Sequence, residues 1–316
     1  MSATLRIGSR PSPLALAQTE MVRATITNLV PGLRSEIVPV RTSGDRITSA
    51  SLAAIGGKGL FIKELEQALS ARTIDIAVHS MKDLPAILDR EYRIVTIPER
   101  EDPRDVVITR DGRSLRDLGA GARLGTSSAR RRFLAIRQNR GLDISPLRGN
   151  VDTRLQKVNG GELDATILAM AGLKRLGRDS AVRLSPLDER EFIPAAAQGA
   201  LAIETMAETP VAGSAEIEAA LHTLDFYPSR AETDAERSFL AGIGASCATA
   251  VGAKATLHGE MLELRAIVFS PDGARELFSE ISCAISPEAE GAASRLGSAL
   301  AAEMLARGAR EILGDG

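Results

Sequence analysis

At 316 residues the chain is long enough for two or three domains, and it needs no disulfide or metal staple to close a core. Hydrophobic residues make up 44% and charged residues 25%, ordinary for a soluble globular protein, and a net charge of −2 argues against a generally nucleic-acid-binding chain. The N-terminal stretch lacks a signal-peptide layout, no apolar run reaches the length of a membrane span, and Cys247 and Cys283 form no CxxC, so a cytoplasmic protein without structural zinc is expected.

Strand-like and helix-like periods alternate through the first two thirds. TLRIGS (4–9) reads as a strand and PLALAQTEMVRATITNLV (13–30) as a helix with Pro13 near its start. SEIVPVRT (35–42) is a second strand, GLFIKELEQALSAR (59–72) has helical spacing, and TIDIAVHS (73–80) is a near-continuous buried strand. IPEREDPRD (97–105) then leads to a second, similar pattern. ARLGTSSARRRFLAIRQ (122–138) is strand, Ser/Thr loop and helix, as LRIGSRPSPLALAQ was. GELDATILAMAGLKRLG (161–177) echoes RTIDIAVHSMKDLP (72–85), with an acid inside a strand that runs into a loop. AAAQGALAIE (195–204) has no complete βα partner nearby and is expected to return to the first lobe.

From about residue 218 the texture changes. AEIEAALHTL and AETDAERSFLAGI are helical, and KATLHGEMLELRAIVFSPDGARELFSEISCAIS alternates like antiparallel strands turning at PDG. Cys283, in this run, reads as core filling, and one last helix is expected over 287–313. The fold class is therefore α/β: two similar lobes with mixed sheets, plus a small α+β C-terminal domain. The expected boundaries are 1–99 with 198–216, then 100–197, then 217–316.

Two similar lobes make a cleft where strand ends and helix starts face a ligand. GTSSARRR (125–132) offers Thr126, Ser127 and Ser128 at a helix start, followed by Arg130, Arg131 and Arg132, of which at least one should be solvated. LRGNVDTRL (147–155) adds Arg148, Asn150 and Arg154, and Arg10 holds the equivalent strand end of the first lobe. Such a basic wall suits a ligand rich in carboxylates or phosphates. AVHSMKDLP (77–85) crowds His79, Ser80, Lys82 and Asp83 at a strand end. IGGKGLF (55–61) is no P-loop, since Gly59 follows Lys58 where Ser or Thr is required. GASCATAVG (244–252) holds Cys247 among small residues, with no flanking base to activate it.

Taken in order, RIGSRPSPLALAQ, GGKGLFIKELE, AVHSMKDLP, EREDPRD, GTSSARRR, LRGNVDTRL and QGALAIE resemble the porphobilinogen deaminase (hydroxymethylbilane synthase) family over nearly the whole chain. The resemblance implies three domains, the first two like periplasmic binding proteins. It implies stepwise head-to-tail condensation of four porphobilinogen molecules with loss of ammonia, then release of a linear tetrapyrrole. The cofactor it implies is dipyrromethane, held through a thioether on Cys247, which reacts once and needs no activating base.

By the same resemblance Asp83 is the catalytic aspartate, whose carboxylate offsets the positive charge that appears as an azafulvene forms. Arg10, Ser12, Lys58, Phe61 and Gln198 would meet the substrate. Ser80, Lys82, Thr126, Ser127, Ser128, Arg130, Arg131, Arg148, Asn150 and Arg154 would meet the cofactor. The expected partner is a small molecule only, with no nucleic acid or membrane, and the expected state is a monomer. The cysteine loop departs from the family's usual pattern, with Ala245 and Ser246 before Cys247 and no proline after it. A two-lobe anion-binding protein without catalysis is the rival reading; it has no use for Cys247.

Overall fold

The alternating periods appear as two five-stranded mixed sheets and a three-stranded antiparallel sheet in a computed structural model, which describes residues 4–46, 62–180, 182–245 and 249–314. The chain divides into two compact units, Met1–Arg100 with Ala200–Arg230, and Glu101–Gly199 with Ala231–Gly316.

The first unit opens with β1 (Leu5–Ser9), α1 (Pro13–Leu29) and β2 (Ser35–Pro39), then α2 (Lys63–Ser70), β3 (Ile76–Ser80) and β4 (Tyr92–Thr96). Helix α1 starts where Ser12 accepts from the Ala15 N–H at 3.2 Å and Pro13 sits in the first turn, where no N–H is missed. It buries Gln18, Thr19, Val22 and Ile26, one face at helical spacing. Val22 and Ile26 pack with Leu5, Ile7, Ile76, Val78 and Ile203, and each such side chain contributes about 1.5–3 kcal/mol on leaving water.

The second unit repeats the plan with β5 (Asp105–Thr109), β6 (Arg123–Gly125), α3 (Ala129–Gln138), β7 (Asp143–Ser145), α4 (Val151–Asn159), β8 (Ala165–Ala169), α5 (Met170–Arg175) and β9 (Leu184–Pro186). The strand after it, β10 (Leu201–Met206), pairs antiparallel with β3 and β4 in the first sheet. The two sheets thus run β2-β1-β3-β10-β4 and β7-β6-β8-β5-β9, with three parallel strands and then an antiparallel step at the same place. Strands β3, β5, β8 and β10 are buried along nearly their whole length, which is why they read as continuous apolar runs.

The repeat extends to side chains. Asp75, just before β3, accepts from the backbone N–H of Arg6 at 2.7 Å and from its Nε at 3.1 Å. Asp164, just before β8, does the same for Arg123 at 2.9 and 3.1 Å. The acid that the sequence places inside each strand is therefore a clamp on the strand beside it.

After α6 (Ala215–Leu224) and α7 (Tyr227–Ile243) come β11 (Val251–His258), β12 (Met261–Phe269) and β13 (Glu276–Ala284), joined through Pro271–Gly273, and then α8 (Ala292–Ala306) and α9 (Ala309–Leu313). Phe269 packs on Phe133 of α3 at 5.6 Å between ring centroids, so the C-terminal sheet shares a core with the second mixed sheet. Three local expectations need correction. Strand β8 runs into α5 rather than a loop. The last helix breaks at Gly308, whose φ of 91° ends one helix and starts another. Cys283 is half-buried opposite Leu262 rather than enclosed in a core.

Candidate functional site

In the first unit a 3₁₀ turn over Met81–Asp83 follows β3 directly and sets Asp83 at the strand's C-terminal end. The Met81 N–H donates to the Ala200 carbonyl at 3.0 Å, tying that turn to the start of β10. One cavity is lined by Arg10, Ser12, Gln18, His79, Ser80 and Asp83, together with apolar neighbours. The structure thus brings Arg10, Ser12, Ser80 and Asp83 together on one cavity. Lys82 is exposed beside them. Gln18 was not legible as a site residue in the sequence. It is buried on α1, its Nε2 donates to Ser80 Oγ at 2.9 Å, and that hydroxyl donates back to its Oε1 at 3.1 Å. A long polar side chain on the buried stripe of a helix was the available signal.

In the second unit the predicted residues gather at the starts of α3 and α4. Ser128 caps α3 by accepting from the Arg131 N–H, and Asn150 caps α4 by accepting from the Thr153 N–H at 2.9 Å. Thr126 accepts from the Ser128 N–H at 3.2 Å, and Ser127 Oγ donates to the Leu147 carbonyl at 2.9 Å. These polar side chains shape the loops. Gly149 has φ 110°, and a Cβ there would lie 2.8 Å from the Thr153 side chain, so only glycine lets Arg148 and Asn150 take their places.

The arginines divide by direction. Arg132 is exposed, as one of the three had to be. Arg130 and Arg131 turn inward to Asp105, which is fully buried: Nη1 of Arg130 lies 2.7 Å from Oδ2, and Nη2 of Arg131 lies 2.7 Å from Oδ1. Gln198 Nε2 donates to the same Oδ1 at 3.0 Å and to the Pro103 carbonyl at 2.7 Å. Asp105 was missed in the sequence because an acid opening an apolar strand looks like an edge residue.

Not every donor is used. Among the described residues the Nε–Nη2 edge of Arg130 has no hydrogen-bond partner, since only Nη1 is bonded, to Asp105 and the Ile193 carbonyl. Arg154 donates only Nε, to the Gly149 carbonyl at 2.9 Å. Burial, then the nearby charge of Arg131, pushes Arg154 down to about 10. Arg175 on α5, which the sequence analysis did not single out, donates Nη2 to the Gly199 carbonyl at 2.6 Å, and burial pushes it down to about 10. Its Nε is buried without a partner among the described residues. A guanidinium held partly out of water with a free donor edge fits the carboxylate of a ligand.

Lys58, Phe61 and Cys247 lie outside the described residues.

Residues 5–212 match the family described as "Porphobilinogen deaminase, dipyromethane cofactor binding domain", and residues 231–306 match "Porphobilinogen deaminase, C-terminal domain". A protein of Syntrophobacter fumaroxidans named "Porphobilinogen deaminase" is 46% identical over 309 residues, covering 98% of this chain and 96% of its own. A Roseiflexus protein of the same name is 43% identical, covering 99% of each chain. Among solved structures, a probable amino-acid ABC transporter extracellular-binding protein from Bacillus subtilis aligns with 71% of this chain and 92% of its own at 13% identity. Its TM-score is 0.41.

Proposed function

The chain belongs to the porphobilinogen deaminase family, and from that premise we propose that Asp83 is the carboxylate at which it condenses porphobilinogen. It is a transferase of tetrapyrrole biosynthesis with a dipyrromethane cofactor. The observation that supports the role of Asp83 is its company. A single cavity carries a guanidinium, two hydroxyls and a carboxylate, the groups needed by a substrate with two carboxylates and a cationic aminomethyl arm.

The residues present fit the cofactor. A dipyrromethane carries acetate and propionate arms, and the free donor edges of Arg130, Arg154 and Arg175 suit such arms. We assign those arginines, with Arg131, Arg148 and the loop residues Thr126, Ser127, Ser128 and Asn150, to holding it, and Cys247 to its covalent attachment. When bound, the cofactor supplies a free pyrrole α-carbon to attack the incoming monomer. Arg10 and Ser12 orient the monomer's acid groups, each charged hydrogen bond contributing roughly 1.5–3 kcal/mol. Gln18 holds the Ser80 hydroxyl at the cavity edge. Asp83 accepts hydrogen bonds from pyrrole N–H groups, and its charge offsets the cation that forms as ammonia leaves. It then takes up the proton lost from carbon.

We place this activity in the cytoplasm, on a monomer that acts on a small molecule. No helix among the described residues is long and apolar enough to cross a membrane. Intact mass and turnover test the reading together. The native protein should exceed its polypeptide mass by one dipyrromethane, and Cys247→Ser should lose that excess. Asp83→Asn should keep the excess yet lose about two to three orders of magnitude in kcat, the size of a fixed-charge contribution in a closed site. Native protein that turns over with no added mass would defeat the cofactor assignment. A near-normal Asp83→Asn rate would defeat the role of Asp83.

A further inference from the structure

The carboxyl group of Glu204 is buried in the first unit and has no role so far. Oε2 lies 3.0 Å from His79 Nε2, with Glu204 at 0% and His79 at 5% exposure. Oε1 is buried with no hydrogen-bond partner among the described residues. An unpaired buried polar atom destabilises the fold, and an apolar pair would avoid that cost. The contact follows from strand register. β10 runs antiparallel to β3 with Ala202 opposite His79, so Glu204 is the diagonal neighbour on the same face. Burial, then the Glu204 carboxylate, raises the Glu66 carboxyl on α2, so a second acid lies in the field of this pair.

An ionised carboxylate only accepts hydrogen bonds. Opposite such a carboxylate, a neutral His79 would carry its ring proton on Nε2 and keep the Nδ1 lone pair. Nδ1 has no hydrogen-bond partner among the described residues, and His79 lines the cavity that holds Asp83.

We propose that His79, oriented by Glu204, is the base that takes the released proton onward from Asp83 in each condensation. The inference rests on the role given above to Asp83. One condensation forms a carbon–carbon bond and breaks a carbon–nitrogen and a carbon–hydrogen bond. The carbon–nitrogen electron pair leaves with ammonia. The carbon–hydrogen pair returns to the ring, and its proton passes to an Asp83 oxygen. His79 Nδ1 then accepts that proton, which restores the Asp83 carboxylate before the next cation must form. Glu204 balances the imidazolium until ammonia or water removes the proton. Glu204 is in this scheme a positioning residue, fixing the ring and its tautomer.

Nitrogen-15 NMR of the holoenzyme tests the tautomer apart from activity. The protein has 3 histidines, so His79→Asn identifies the His79 signals. The proton should sit on Nε2; a proton on Nδ1 overturns the proposal. His79→Ala holoenzyme, its cofactor confirmed by mass, should lose about 100-fold in kcat with KM little changed, and added imidazole should recover at least about tenfold of it. Imidazole should accelerate neither the native enzyme nor Asp83→Asn. His79→Asn keeps an acceptor near the Nδ1 position but cannot carry a proton, so it should be as slow as His79→Ala. A His79→Asn holoenzyme within about threefold of native kcat, or no response of His79→Ala to imidazole, overturns the proposal. An active Asp83→Asn enzyme would instead remove the premise, and the tautomer result would stand whatever that rate.

Discussion

A single carboxylate, Asp105, holds the guanidiniums of Arg130 and Arg131 and the amide of Gln198, all buried. Burial alone would raise its pKa. The charges of Arg130 and Arg131, and hydrogen bonds from Arg130 and Gln198, overcome that and hold it well below the usual carboxylate range. The sign follows. A carboxyl whose folded pKa lies below its unfolded value of about 3.9 stabilises the fold above that value. The contribution fades as pH falls below it. The unfolding free energy should therefore drop between about pH 5 and pH 2, and Asp105→Asn should flatten that limb. At neutral pH the same variant should cost about 3–5 kcal/mol, because two guanidiniums stay buried with their acid gone. Urea denaturation across pH checks both. An unchanged acid limb in Asp105→Asn would place the acid sensitivity elsewhere.

At the scale of elements, the two clamps that tie β3 to β1 and β8 to β6 differ at one position. Arg6 Nη1 donates to the Arg72 carbonyl at 2.6 Å, and Arg123 Nη2 donates to the Gly161 carbonyl at 2.8 Å. Both acceptors have positive φ, 53° at Arg72 and 79° at Gly161. Only glycine takes that conformation without a Cβ clash, which costs other residues about 1–2 kcal/mol. Glycine also loses more backbone entropy on folding, about 0.5–1 kcal/mol. Arg72→Gly should therefore gain up to about 1 kcal/mol, seen as a raised denaturation midpoint; a clear loss would show that the Arg72 side chain supports the turn. The repeat behind this comparison was legible in the sequence, because strand, Ser/Thr loop and helix periods are local signals; that Ser12 and Ser128 cap the helices was not read there. The acids Asp75 and Asp164 were legible as an echo, though their partners were not. The pairing of Glu204 with His79 was not legible at all. It depends on antiparallel register between segments 125 residues apart, and nothing local in QGALAIE reports it. The descent of β8 into α5 was hidden because MAGLKR has too few apolar positions to show a period.

At the scale of the whole molecule, the chain passes directly from one unit to the other between successive strands. β5 follows β4 of the first unit, and β10 follows β9 of the second. Each unit nevertheless has a core of its own. Leu5, Ile7, Ile76, Ile203 and Leu221 belong to the first, and Val107, Phe133, Ile167, Ile267 and Phe269 to the second. Separate cores weaken the case for a single all-or-none transition. Calorimetry should give a van 't Hoff enthalpy below the calorimetric one, with at least two components under the peak. Two substitutions assign them. Ile203→Ala empties a fully buried site in the first core and should cost about 2–5 kcal/mol there. Asp105→Asn acts on the second unit. Each should shift one component and leave the other near its native temperature. A single peak with equal enthalpies, moved as a whole by either variant, would mean that the two cores unfold as one cooperative block.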